Sequence, residues 1–163
     1  MELFSIALIA TALLCSLVAG FLFAFAVVVM PGLKDLGDRE FLRAFQVIDR
    51  VIQRGQPLFM AVWVGSILAV VTVGLGSAQF GPAARLRIIA AAVAYLVGVQ
   101  LPTMLINVPL NNRLQSLDVD AMNVDARRAF RAEFEPRWNR WNRIRTAVAV
   151  LVSALLMIEL FKL

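Results

Sequence analysis

Three long runs without a charged residue dominate the chain: Leu3 to Leu33, Gly55 to Ala84 and Ile88 to Asn112. Each exceeds the roughly 20 residues an α-helix needs to cross hydrocarbon. A fourth apolar block, Thr146 to Phe161, is shorter and contains Glu159. Between the first two runs, Phe41, Phe45, Ile48 and Ile52 recur at helical spacing, while Arg39, Arg43, Gln46, Arg50 and Arg54 fall opposite them. That pattern predicts an amphipathic helix at the membrane surface or against a partner helix. The prediction is an all-α, integral membrane four-helix bundle forming a single membrane domain over 1–163. Its membrane helices cover about 3–30, 57–76, 83–108 and 146–161. Amphipathic helices cover about 38–54 and 123–145, the second running straight into the last span. Pro31-Gly32 closes the first helix, and Pro102 kinks the third, which ends near Pro109.

Composition agrees with this picture: 61% of residues are hydrophobic and 17% charged, against about half and a quarter in soluble domains. The first run lacks a basic n-region and is much longer than a signal-peptide core, so it is expected to be retained as a helix. Basic residues are asymmetric, with five in 31–56 and eight in 109–145 but three elsewhere. The positive-inside rule then places both long connections in the cytoplasm and both termini outside, as in a bacterial inner membrane. Cys15 is the single cysteine, and histidine is absent. That removes the commonest metal ligand and general base, and the reading assigns no metal and no cofactor.

Two polar clusters depart from a plain bundle. In Asn107-Val-Pro-Leu-Asn111-Asn112, Asn107 and Asn111 share a helical face. A buried amide left without partners costs about 1–3 kcal/mol. The cluster is either a helix terminus or one wall of a pocket. The second cluster is Trp138-Asn139-Arg140-Trp141-Asn142-Arg143-Ile144-Arg145-Thr146. On a helix, Phe130, Phe134, Trp138, Trp141 and Arg145 lie within about 80° of one another, with Asn142 at the border. Arg140 and Arg143 point elsewhere, toward headgroups. Nucleic-acid binding would need arginines and stacking rings on one accessible face, and the geometry separates them. An inward Arg145 needs a partner, for which Asp49 and the asparagines of the third span are the candidates. Glu159 is placed within snorkelling reach of the outer interface.

These motifs resemble a family of small four-helix membrane proteins that includes the anthrone oxygenases. The likeness covers nearly the whole chain. It rests on Gly20 with Phe21 and Phe25 before Val29-Met30-Pro31, on Phe45-Gln46-Val-Ile48-Asp49, and on Pro57-Leu-Phe59. The most specific parts are Asn107-Val108-Pro109-Leu110-Asn111-Asn112 and Trp138 with Trp141-Asn142-x-x-Arg145-Thr146. Asp49 stands where relatives often carry Asn, and Arg143 where many carry His.

The resemblance implies oxidation of an anthrone, or another lipophilic polycyclic or quinone-like molecule, without metal or flavin. Asp49, Asn107, Asn142 and Arg145 are the catalytic candidates, and Gln46, Asn111, Asn112, Trp138 and Trp141 the substrate-binding ones. The implied partners are the lipid bilayer and an aromatic small molecule, with no nucleic acid. The alternative is a non-catalytic helical bundle that binds lipid or a small solute, or scaffolds a membrane complex.

Overall fold

The computed structural model describes residues 2–162, and among these every element is helical. Five helical runs follow in order: α1, Glu2–Lys34; α2, Asp38–Gln53; α3, Pro57–Gly76; α4, Pro82–Gln115; and α5, Val124–Leu160. Local chemistry sets their starts. Gln56 Oε1 accepts from the Phe59 amide to cap α3, with Pro57 in the first turn and Gly55 at φ +72° in the preceding turn. Asn123 Oδ1 caps α5 by accepting from the Ala126 amide. Each cap satisfies a donor that the first turn would leave free.

Three helical runs, α1, α3 extended through Gln79, and α4, are long and apolar enough to cross a membrane. The block Thr146 to Phe161 falls in the second half of α5, which is one continuous helix of 37 residues. Glu159, read as snorkelling, is instead buried and held by Arg87 and Lys162. Two cationic side chains of the protein satisfy the carboxylate.

The expected ends at Pro31 and Pro109 are not ends, and the helix also continues through Pro102, where a kink was expected. α1 runs on to Lys34 and α4 to Gln115. In each case a π-turn finishes two residues before the proline: Phe25–Val29, Leu96–Gln100 and Thr103–Asn107. The residue before each proline donates five back, Met30 to Phe25, Leu101 to Leu96 and Val108 to Thr103. The wider turn moves the carbonyl that the proline ring would strike in an α-helix. Pro136, exposed in the polar half of α5, has no π-turn before it, because water is there to meet the freed carbonyl.

The core has two parts. Leu8, Cys15, Val18 and Leu22 of α1 meet Val70 and Val73 of α3, Tyr95 and Val99 of α4, and Ala149, Val152 and Leu156 of α5. Nearer the α2 end, Phe41 and Phe45 meet Phe25, Leu114, Phe134 and Trp138. The buried face of α2 is Phe41, Leu42, Phe45, Gln46 and Asp49, so Gln46 lies inside rather than on the solvated face the periodicity assigned it. Its amide donates to the Leu114 carbonyl in the last turn of α4 and to the Leu117 carbonyl just beyond it, where the end of the helix leaves carbonyls without α-helical donors.

α4 and α5 pack tightly at Gly98, where an added Cβ would lie 2.8 Å from Val148 Cγ1. Gly98→Ala is expected to lower unfolding stability in detergent by about 1–3 kcal/mol, the usual cost of overpacking. Val148→Ala in the same chain should recover most of it, as measured by thermal melting of the single and double variants.

Candidate functional site

At the α2 end, α1, α2, α3, α4 and α5 enclose a cavity of about 230 Å³. About 150 Å³ suffices for benzene, so a larger flat molecule fits. Its walls are aromatic. Phe21 contacts Phe25 and Phe59 with ring centroids at 4.9 and 5.1 Å, and Phe59 stacks on Trp63 at 5.3 Å. Trp138 closes the other side against Phe25 at 5.6 Å and Phe45 at 5.3 Å. Asp49, Thr103, Asn107, Asn111, Asn142 and Arg145 supply the polar lining.

Arg145 is buried and projects from α5. Nη1 donates to Thr103 Oγ1 at 2.7 Å and Nη2 to Asn142 Oδ1 at 3.0 Å. Its Cζ lies 6.0 Å from the centre of the Trp138 ring. Nε has no partner among the described residues, and neither has Asn107 Oδ1. Neither expected partner, Asp49 or an asparagine of α4, is used: the guanidinium is held by two neutral oxygens. Thr103 accepts because its own hydroxyl donates to the Val99 carbonyl at 2.7 Å. Asn142 accepts because its amide nitrogen is committed to the Leu22 carbonyl of α1 at 3.0 Å.

Asp49 has a different environment. Oδ1 accepts from Asn111 Nδ2 at 2.8 Å, and Oδ2 from Gln53 Nε2 at 2.7 Å and Gln115 Nε2 at 3.0 Å. The orientation of Asn111 is imposed: the Trp138 indole can only donate, and does so to Asn111 Oδ1 at 2.8 Å, which turns Nδ2 toward the carboxylate. Burial pushes the Asp49 carboxyl above its ordinary value, and the three amide hydrogen bonds only partly oppose that. No cation is paired with it among the described residues.

Asn107 and Asn111 therefore face the pocket and do not cap a helix end. Asn107 donates to the Trp138 carbonyl at a long 3.4 Å. Of the other candidates, Asn112 is exposed and accepts from Gln53. Gln46 ties α2 to α4 and does not line the cavity, and half-buried Trp141 does not line it either. The inward face of α5 passes through Phe130, Phe134, Trp138, Asn142 and Arg145, with Trp141 at its edge. Thr103, Gln115 and Trp63 were not anticipated. Threonine and tryptophan are ordinary in membrane helices, so only the positions of Thr103 and Gln115 relative to Arg145 and Asp49 distinguish them.

A family model described as anthrone oxygenase matches residues 49–155. The chain belongs to the anthrone oxygenase family. The matched range takes in Asp49, Asn107, Asn111 and the Trp138–Arg145 segment, and so most of the polar lining of the cavity. No match was found among curated proteins or among solved structures.

If Arg145 served only to lock helices, removing it would destabilise the fold. With no carboxylate opposite, Arg145→Met instead removes an uncompensated buried charge. The expected thermal midpoint is unchanged or higher, measured in detergent beside Arg131→Met. Arg131 is paired with Asp38 and Glu135, so its loss should lower the midpoint.

Proposed function

We propose that this protein is a membrane-embedded, cofactor-independent oxygenase of lipophilic polycyclic aromatic or quinone-like molecules, of the anthrone type. The second half of α5 completes a four-helix membrane bundle in one domain, with α2 and the polar half of α5 at the cytoplasmic face of the bilayer. The observation that carries the reading is that a carboxylate without a cation and a guanidinium without a carboxylate line one aromatic-walled cavity.

The chemistry matches those two groups. A methylene conjugated to a ring ketone is acidified, because its anion places charge on the ketone oxygen. Asp49, with its raised pKa, takes the first proton, and the Arg145 N–H with no partner stabilises the oxyanion. The flat rings lie between Trp138 and the Phe21–Phe59–Trp63 wall. The electron-rich anion then transfers an electron to dioxygen, and recombination forms a carbon–oxygen bond to a peroxide. Loss of the second methylene proton with cleavage of the O–O bond gives the quinone carbonyl. One oxygen atom enters the product, and the other leaves as water with the two methylene hydrogens. No metal or flavin is required for the balance.

Purified protein given an anthrone and oxygen should form the quinone faster than the protein-free solution, followed by absorbance. Arg145→Met should slow this on the order of 100- to 1,000-fold, the usual scale for an oxyanion donor. A rate no higher than background, or one unchanged in Arg145→Met, would leave the non-catalytic bundle as the better account. The base must be ionised, so kcat/KM should rise with pH through a value above the ordinary aspartate range and then level off. Asp49→Asn should abolish that limb and slow the reaction on the order of 100-fold or more.

A further inference from the structure

A second feature lies on the opposite flank of α5, in the seam it forms with α1. At the α2 end of that seam a pocket of about 280 Å³ is lined by Lys34, Asn139, Arg143 and Glu135 over a floor of Met30 and Pro31. Its one carboxylate is engaged by Arg131 and not by the two cations of the pocket: Glu135 Oε2 accepts from Arg131 Nε at 2.8 Å. Neither Lys34 nor Arg143 has an ion-pair partner among the described residues. Arg143 spends only Nε, on the Asn139 carbonyl at 3.4 Å. The pocket thus offers two uncommitted cations and an amide.

Farther along the same two helices the seam becomes an apolar groove of about 440 Å³, lined by Gly20, Phe23, Val150 and Met157 among others. Phe23, Val150 and Met157 are exposed on the outer surface, and a Cβ added at Gly20 would meet nothing. Arg143, Val150 and Met157 are spaced by seven residues and so share one face of α5. From Arg143 to Met157 the helix rises about 21 Å. That spans the depth from a headgroup past one leaflet of hydrocarbon, about 15 Å.

A cationic pocket at the end where polar helices meet apolar ones, continued by an apolar groove running into membrane depth, is the negative image of one molecule. We propose that the α1/α5 seam is a binding site for an anionic glycerophospholipid, its phosphate between Lys34 and Arg143 and one acyl chain in the groove over Gly20. The net positive charge selects an anionic over a zwitterionic headgroup. The site is separate from the aromatic cavity and does not rest on the proposed oxygenase reaction.

Native mass spectrometry of the detergent-purified protein tests this with phosphatidylglycerol and phosphatidylcholine of identical chains. Wild-type protein is expected to retain one phosphatidylglycerol on the order of tenfold more tightly than phosphatidylcholine. Lys34→Gln with Arg143→Gln should erase that preference, with each single variant intermediate. Gly20→Leu, which fills the groove without touching the cations, should weaken retention of both lipids. Inorganic phosphate should not displace phosphatidylglycerol. The proposal is overturned if the preference is absent in wild type or survives in the double variant, or if Gly20→Leu changes nothing. Displacement by millimolar inorganic phosphate would likewise overturn it, since the pocket would then recognise a free anion and not a lipid.

Discussion

In hydrocarbon no water is present to satisfy a stray backbone group, so a proline inside a spanning helix must be absorbed by the helix itself. Three prolines of this chain are absorbed in the same way, by a π-turn ending two residues earlier. The cavity depends on those turns. Phe25 sits at the start of the first, and Thr103 and Asn107 begin and end the third. All three line the cavity. A π-turn rotates the following helix relative to the preceding one, and so brings polar side chains of α4 to the same side as Arg145 of α5. The prolines that appear to interrupt the helices are thus what allows one continuous α4 to contribute both a packed apolar stretch and a polar wall.

The second organising fact is that the two ionisable groups of the cavity are kept apart. Asp49 accepts from the amides of Gln53, Asn111 and Gln115 and keeps acceptor capacity on Oδ1. Arg145 is held by a hydroxyl and an amide oxygen. Had they paired, the guanidinium would have lowered the Asp49 pKa, while the carboxylate would have quenched the cation. Neutral hydrogen-bonding partners hold both side chains in place without cancelling either charge. The Trp138–Asn111–Asp49 chain shows how: an indole that can only donate decides which end of an amide meets the carboxylate.

Much of this was legible in the sequence because it was incongruous there. Asn107, Asn111 and Arg145 stood out beside long apolar runs, and their convergence follows from the helices to which they belong. The choice between Trp141 and Asn142 was not legible. They are 100° apart at opposite edges of the α5 stripe, and a rotation of the helix set by packing decides which faces inward. Periodicity placed Gln46 on the polar face of α2 because it counts polarity and cannot see the Leu114 and Leu117 carbonyls that its amide reaches at the end of α4. The helix ends at Pro31 and Pro109 were misplaced for a related reason. Rules for proline assume α-geometry, and the π-turns that evade them leave no compositional trace. Thr103 is silent in sequence because threonine commonly bonds its own helix, as it does here to Val99, while its oxygen remains free to accept.

The energetics bear on whether the polar cluster is there to hold helices together. An ion taken out of water costs several kcal/mol even after relaxation, and each orphaned polar atom costs about 1–3 kcal/mol more. Arg145 Nε and Asn107 Oδ1 are both orphaned. Set against a typical net stability of about 5–15 kcal/mol, these are large debts for a contact whose only task is packing. Leucine or methionine at 145 would fill the space without them. The helices are already joined by the apolar core around Leu8, Val18, Val152 and Leu156, and by the Arg87–Glu159 pair at the far end. What the cluster provides that packing does not is an uncompensated donor beside a cavity. That provision is favourable only when something bearing negative charge, or acquiring it, occupies the space.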